Sequence, residues 1–134
     1  MNLHRSMVEA MVEHARSHYP DEACGLLVGE ERATVAAFHP CANIDASPSS
    51  FTIDPTDHFR VMKRAEASGL DITGVFHSHT HSAPYPSPTD RRQAPDPEWV
   101  HLILGMADPA RPELRGWWIE TGKVTEEPLV VSEE

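Results

Sequence analysis

The chain has 134 residues, room for one compact domain with its own core but far short of the about 250 residues of an eight-fold α/β barrel. Eleven Lys and Arg against 21 Asp and Glu give a net charge of −10, which repels phosphate backbones and argues against a nucleic-acid partner. No apolar stretch approaches the about 18 residues of a membrane span, and two cysteines do not make a disulfide framework.

The N-terminus runs into an amphipathic segment rather than an apolar signal region, so a cytoplasmic protein is expected. From Leu3 to His18, apolar residues recur at Leu3, Met7, Val8, Met11, Val12 and Ala15. That spacing of three and four predicts a helix, which Pro20 ends. His14 and His18 fall four apart on its surface. Ala23 to Gly29 is a short apolar run bounded by glycine and reads as a buried strand. Thr34 to His39 reads as its hairpin partner across Glu30-Glu31-Arg32, and Pro40 to Ser50 as a loop. Cys24 then belongs to a core strand as an inert thiol, and Cys41 to an exposed loop.

Pro55 opens a second amphipathic helix that ends near Gly69. Ile72 to Phe76 is a strand that leads straight into His77. Ser78 to Pro86, with its prolines, is expected to be irregular. Ser87-Pro88-Thr89-Asp90 has the form of a capping box at the start of a short helix. Val100 to Met106 and Leu114 to Glu120 are further strands. Thr121-Gly122 turns the second of these into Lys123-Val124-Thr125. Trp117 and Trp118 must face opposite sides of their strand. The pattern gives an α/β domain over residues 1–134, with one central mixed sheet and two or three helices.

The chemistry concentrates in His77-Ser78-His79, followed after seven residues by Ser87 and then by Asp90. On an extended strand His77 and His79 face the same side, with Cα atoms roughly 6–7 Å apart. Two imidazoles so placed can lean onto one zinc ion, and a carboxylate from a helix start can be the third ligand. The fourth position is left to water, the pattern of a catalytic zinc site, where the water's pKa falls towards about 7. His81 extends the run to three alternating histidines. It could add a further ligand, but Ala83-Pro84 points to the strand having ended, which makes His81 a solvent-facing or substrate-contacting loop residue.

This constellation, with Glu22-Ala23-Cys24-Gly25 upstream, resembles the JAMM (MPN-plus) metallopeptidases. Their pattern is a glutamate, His-Ser/Thr-His, seven residues, Ser, two residues and Asp. The stretch His18 to Gly25 and the closing Val124 to Pro128 look like the small bacterial branch, which includes peptidases releasing cysteine from a sulfur-carrier protein. The resemblance implies a curved mixed sheet flanked by helices, related to cytidine deaminases. The deaminase signature itself and His-Glu-x-x-His are both absent.

By the same resemblance, His77, His79 and Asp90 would ligate a single catalytic Zn2+. Glu22 would take a proton from the metal-bound water and pass it to the leaving amine. Ser87 would donate to the oxyanion. The substrate would be an amide following the Gly-Gly tail of a ubiquitin-like or sulfur-carrier protein, with free cysteine or a lysine side chain as the amine. Tyr85, Pro84 and Pro86 either shape a groove for that tail or stiffen the loop. Three readings compete: a non-catalytic interaction module, which would lack stoichiometric zinc; a zinc amidase acting on a small metabolite; and a structural metal site, which would lack an exchangeable ligand position.

Overall fold

A computed structural model describes residues 1–133. Its elements in order are β1 (Asn2–His4), α1 (Arg5–His18), β2 (Cys24–Gly29), β3 (Ala37–Cys41), α2 (Pro55–Ala67), β4 (Asp71–His79), α3 (Pro88–Arg92), β5 (Val100–Gly105), β6 (Glu113–Glu120), β7 (Lys123–Glu127) and β8 (Val130–Ser132). Six strands form one curved mixed sheet in the order β3-β2-β4-β5-β6-β7. Only β4 and β5 run parallel; the other neighbours are antiparallel.

Alternation along the strands decides which helix covers which face. Leu27, Phe76, Val100, Leu102 and Leu104 face α1, where Met7, Met11 and Ala15 complete the larger core. Those three helix residues are four apart, so they form one stripe. Full burial of side chains such as Phe76 or Leu102 is worth about 1.5–3 kcal/mol each. Cys24, Leu26, Val28 and Cys41 face the other way and meet Val61 and Ala65 of α2. Asp54 caps α2 by accepting from the Thr56 N–H at 2.8 Å, and Pro55 holds the first position, where no N–H is needed. Gly74 sits at the centre of the sheet because a Cβ there would lie 2.5 Å from the Val100 carbonyl.

Several boundaries differ from the sequence reading. The chain opens with a strand: β1 pairs in parallel with β8, and Leu3 pairs with Val131 before the helix begins at Arg5. A three-residue strand whose partner lies at the opposite end of the chain has no local signature. The hairpin partner starts at Ala37 rather than Thr34, because Thr34 closes the turn by accepting from the Glu31 N–H and donating to the Glu31 carbonyl. It continues through Pro40 to Cys41, and an edge strand tolerates that proline. Cys41 is therefore buried directly opposite Cys24, not exposed in a loop. β4 runs on through His79, so the irregular stretch begins at Thr80. Thr121 and Gly122, both with positive φ, make the expected tight turn into β7. Among the described residues no helix is long and apolar enough to cross a membrane.

Candidate metal centre

The β4 strand delivers two histidines to one face at its C-terminal end. His77 and His79 are both buried and share the face of Val75, opposite Phe76 and Ser78. Asp90 arrives from α3, whose start is fixed by a complete capping box. The Ser87 Oγ accepts from the Asp90 N–H at 3.1 Å, and the Asp90 Oδ2 accepts from the Ser87 N–H at 2.9 Å. The cap holds the carboxylate in one orientation, with Oδ2 towards the histidines.

Three atoms then close a small triangle. His77 Nε2 and His79 Nε2 are 3.1 Å apart, and they lie 3.2 and 3.0 Å from Asp90 Oδ2. Tetrahedral zinc with bonds of about 2.0–2.1 Å separates its ligands by about 3.3 Å. The three edges therefore match a zinc-sized ion. Tautomer chemistry fits as well: His79 Nδ1 donates to the Ala83 carbonyl at 2.8 Å, which leaves the Nε2 lone pair facing the triangle. Burial holds the His77 pKa below its ordinary value despite Asp90. Burial also lowers His79, but Asp90 and the Ala83 carbonyl outweigh it and the net shift is upward. Burial opposes the Asp90 carboxylate, yet hydrogen bonds with both imidazoles hold its pKa well below the usual range.

The Ala83 carbonyl is itself held in place. Pro84 packs where a Cβ on Gly105 would sit, 2.7 Å from the Pro84 Cδ, and the Pro84 carbonyl accepts from Trp117 Nε1 at 2.8 Å. Tyr85 lies edge-on against Trp117 at 4.9 Å. These contacts give Pro84 and Tyr85 a stiffening role in the loop. His81 stands apart from the triangle: it is exposed, with its ring 5.8 Å from Tyr19 and its Nδ1 beside Thr80 Oγ1.

Glu22 lies between α1 and β2 and is only 5% exposed. With His79 and Ser87 it lines an open hollow of about 430 Å3. Burial pushes its carboxyl up to about 8; His79 opposes this, and Asp90 and Asp45 add to it. Its backbone is clamped on two sides. The Glu22 N–H donates to the Ser47 carbonyl at 2.8 Å, and Asn43 Nδ2 donates to the Glu22 carbonyl at 3.0 Å. Asn43 also donates to the Ser50 carbonyl and accepts from the Asp45 and Thr52 N–H groups, so one side chain organises the loop beside Glu22. Ser78, between the two histidines, accepts from the Ala23 N–H through its Oγ at 2.9 Å and returns its own N–H to the Ala23 carbonyl at 3.0 Å. Ser78 and Asn43 are positioning residues that the sequence reading did not single out. For Ser78 the signal was its place between the histidines; Asn43 gave none.

The cysteines take no part. Burial pushes the Cys24 thiol up to about 12 and the Cys41 thiol up to about 11, so neither is a thiolate nucleophile near neutral pH. His14 is half-buried, and its Nε2 is 2.9 Å from the Cys24 carbonyl.

Comparison with known proteins gives concordant matches. Residues 4–120 match the family described as prokaryotic homologs of the JAB domain. The CysO-cysteine peptidase of Mycobacterium tuberculosis (strain ATCC 25618 / H37Rv) is 39% identical over 129 residues, covering 96% of this chain and 88% of that protein. The desampylase of Haloferax volcanii is 39% identical over 101 residues, covering 71% and 73%. The solution structure of a protein from Desulfitobacterium hafniense superposes with a TM-score of 0.90 at 35% identity, over 99% of this chain and 93% of that one.

Proposed function

The chain belongs to the family of prokaryotic homologs of the JAB domain, and from that premise we propose that it is a zinc-dependent peptidase. Its substrate is an amide at the Gly-Gly tail of a ubiquitin-like or sulfur-carrier protein. The observation that carries this reading is the triangle of His77 Nε2, His79 Nε2 and Asp90 Oδ2, with edges of 3.0–3.2 Å beside a buried carboxyl. Two relatives support the substrate class by their names, CysO-cysteine peptidase and desampylase.

His77, His79 and Asp90 would hold the ion. When bound there, zinc supplies a Lewis acid that polarises the scissile carbonyl and acidifies a water. The remaining work falls to the chain. Glu22 takes a proton from the attacking water as the carbon–oxygen bond forms. It gives that proton to the nitrogen as the carbon–nitrogen bond breaks, so the amine leaves neutral. A carboxyl raised towards neutrality by burial suits both halves of that cycle. The Ser87 hydroxyl oxygen already accepts the cap bond from the Asp90 N–H, which leaves its O–H free to donate to the oxyanion. The open hollow lined by Glu22, His79 and Ser87 gives an extended tail access to these groups.

The reading is tested with a carrier protein bearing cysteine or a lysine side chain after its Gly-Gly terminus, presented to zinc-loaded protein. Wild type is expected to release the amine, and Glu22→Gln is expected to retain zinc and lose turnover. Hydrolysis by Glu22→Gln at the wild-type rate would remove the proton-transfer role. Hydrolysis of small amides alone would remove the carrier protein as substrate.

A further inference from the structure

A series of hydrogen bonds runs along the wall of the hollow that holds Glu22, His79 and Ser87. Thr80 is buried, and its Oγ1 lies 3.2 Å from the Pro48 carbonyl and 2.9 Å from His81 Nδ1. A carbonyl only accepts, so the single Thr80 O–H goes to Pro48. The Thr80 oxygen then accepts from the His81 Nδ1–H, which leaves His81 Nε2 as an acceptor. The Tyr19 O–H supplies its donor at 3.4 Å. Both His81 nitrogens are therefore spent within the protein, and the residue brings neither a metal ligand nor a hydrogen bond to the site. What it brings is a flat imidazole face. The ring is exposed, lines the hollow beside Glu22, His79 and Ser87, and is backed by the Tyr19 ring at 5.8 Å. The same series ties the β4–α3 loop to the α1–β2 connection through Tyr19 and to the 43–50 loop through Pro48. Glu22 belongs to that connection, and its N–H is held by Ser47 of that loop. The ring and the buried carboxyl are thus fixed to the same two segments.

A peptide group is planar, and an aromatic face is a surface that matches it. We propose, on the basis of the peptidase reading above, that the carrier's tail crosses the His81 ring face, and that His81 selects glycine at one of the two residues before the scissile bond. Contact between the two planes needs about 3.5–4.0 Å between heavy atoms. A Cβ stands out of the peptide plane and holds the tail off the ring. Successive side-chain positions of an extended tail alternate sides, so one glycine turns its bare Cα towards His81 and the other turns away. The ring does not swing aside to admit a side chain, because doing so breaks its bonds to Thr80 and Tyr19. Tyr19 and Thr80 are positioning residues for this wall, and His81 is the group that touches the tail.

The test uses zinc-loaded protein and carrier conjugates with one and the same amine, in which either glycine before the scissile bond is replaced by alanine. Wild type is expected to lose about tenfold or more in kcat/KM with at least one of the alanines. His81→Ala is expected to narrow that loss to within about threefold at one position and to leave the other position as it was. On the Gly-Gly conjugate, His81→Ala is expected to raise KM about fivefold and to act on KM rather than kcat, since the ring contact is made in ground and transition state alike. His81→Phe keeps a flat face and is expected to recover most of that loss. Tyr19→Phe removes only the O–H donor and is expected to admit alanine more readily than wild type. Zinc content is expected to stay at one equivalent in all three variants. An alanine penalty untouched in a folded, zinc-loaded His81→Ala, or relaxed equally at both positions, overturns the role of His81 and leaves the peptidase reading standing. No turnover of any conjugate by wild type removes both.

Discussion

Phe51 stacks on His77, with ring centroids 4.4 Å apart and planes 22° from parallel. This contact matters because the other face of the problem is bare: His77 Nδ1 has no hydrogen-bond partner among the described residues. His79 is aimed by the Ala83 carbonyl, whereas His77 is aimed by packing. Loss of an orienting partner typically lowers metal affinity 10–100-fold. Phe51→Ala is expected to weaken zinc binding by about tenfold in a chelator competition, and Phe51→Tyr to restore most of it. An unchanged affinity in Phe51→Ala would show that the stack does not aim the ring.

Ser78 joins the strand carrying the histidines to the segment carrying Glu22. Ser78→Ala leaves the Ala23 N–H buried without its acceptor, at a cost of about 1–3 kcal/mol. Denaturant titration measures that cost. Activity is expected to fall further than stability explains while zinc content holds, since Ala23 adjoins Glu22.

Glu22 makes the metal-free protein pH-sensitive in a defined direction. Its folded-state pKa is raised to about 8 from 4.5, so the folded chain binds a proton between those values that the unfolded chain has released. This group's contribution is therefore most favourable below about pH 4.5, and stability declines as pH rises through about 8. Glu22→Gln removes the penalty. With zinc chelated, the variant is expected to be more stable than wild type by a few kcal/mol at pH 9 and no more stable near pH 4. Equal stability at pH 9 would contradict a carboxyl held protonated by burial.

Ser87 holds the cap through its oxygen, and in the proposed reaction its O–H would serve the oxyanion. Ser87→Ala is expected to cost about 1 kcal/mol of stability from the cap. It is also expected to lower kcat by about 10²–10³-fold from the lost donor. A loss of kcat no larger than the loss of zinc affinity would assign Ser87 to the cap alone.

The parts of the site that were legible in the sequence are those set by local geometry. His77 and His79 share a face because strands have period two, and Ser87 with Asp90 announces its own helix start. The helices at 5–18 and 55–67 follow from apolar spacing, Pro55 and Pro20. What escaped depends on pairing between distant segments. Cys41 is buried because β3 extends along β2, and β1 exists because β8 lies beside it. His101 comes near His77 only through the parallel β4–β5 register, and Phe51 reaches it from a loop with no periodicity. Ser78 and Asn43 act through backbone groups of other segments, which residue type alone does not disclose.

The most direct test of the metal centre is the zinc content of purified protein after exposure to excess zinc and removal of loosely bound ion. One equivalent per chain is expected for wild type, and well under a tenth for folded His77→Ala and Asp90→Ala. Wild-type protein that retains no zinc, or an Asp90→Ala variant that retains it as tightly, would contradict the account.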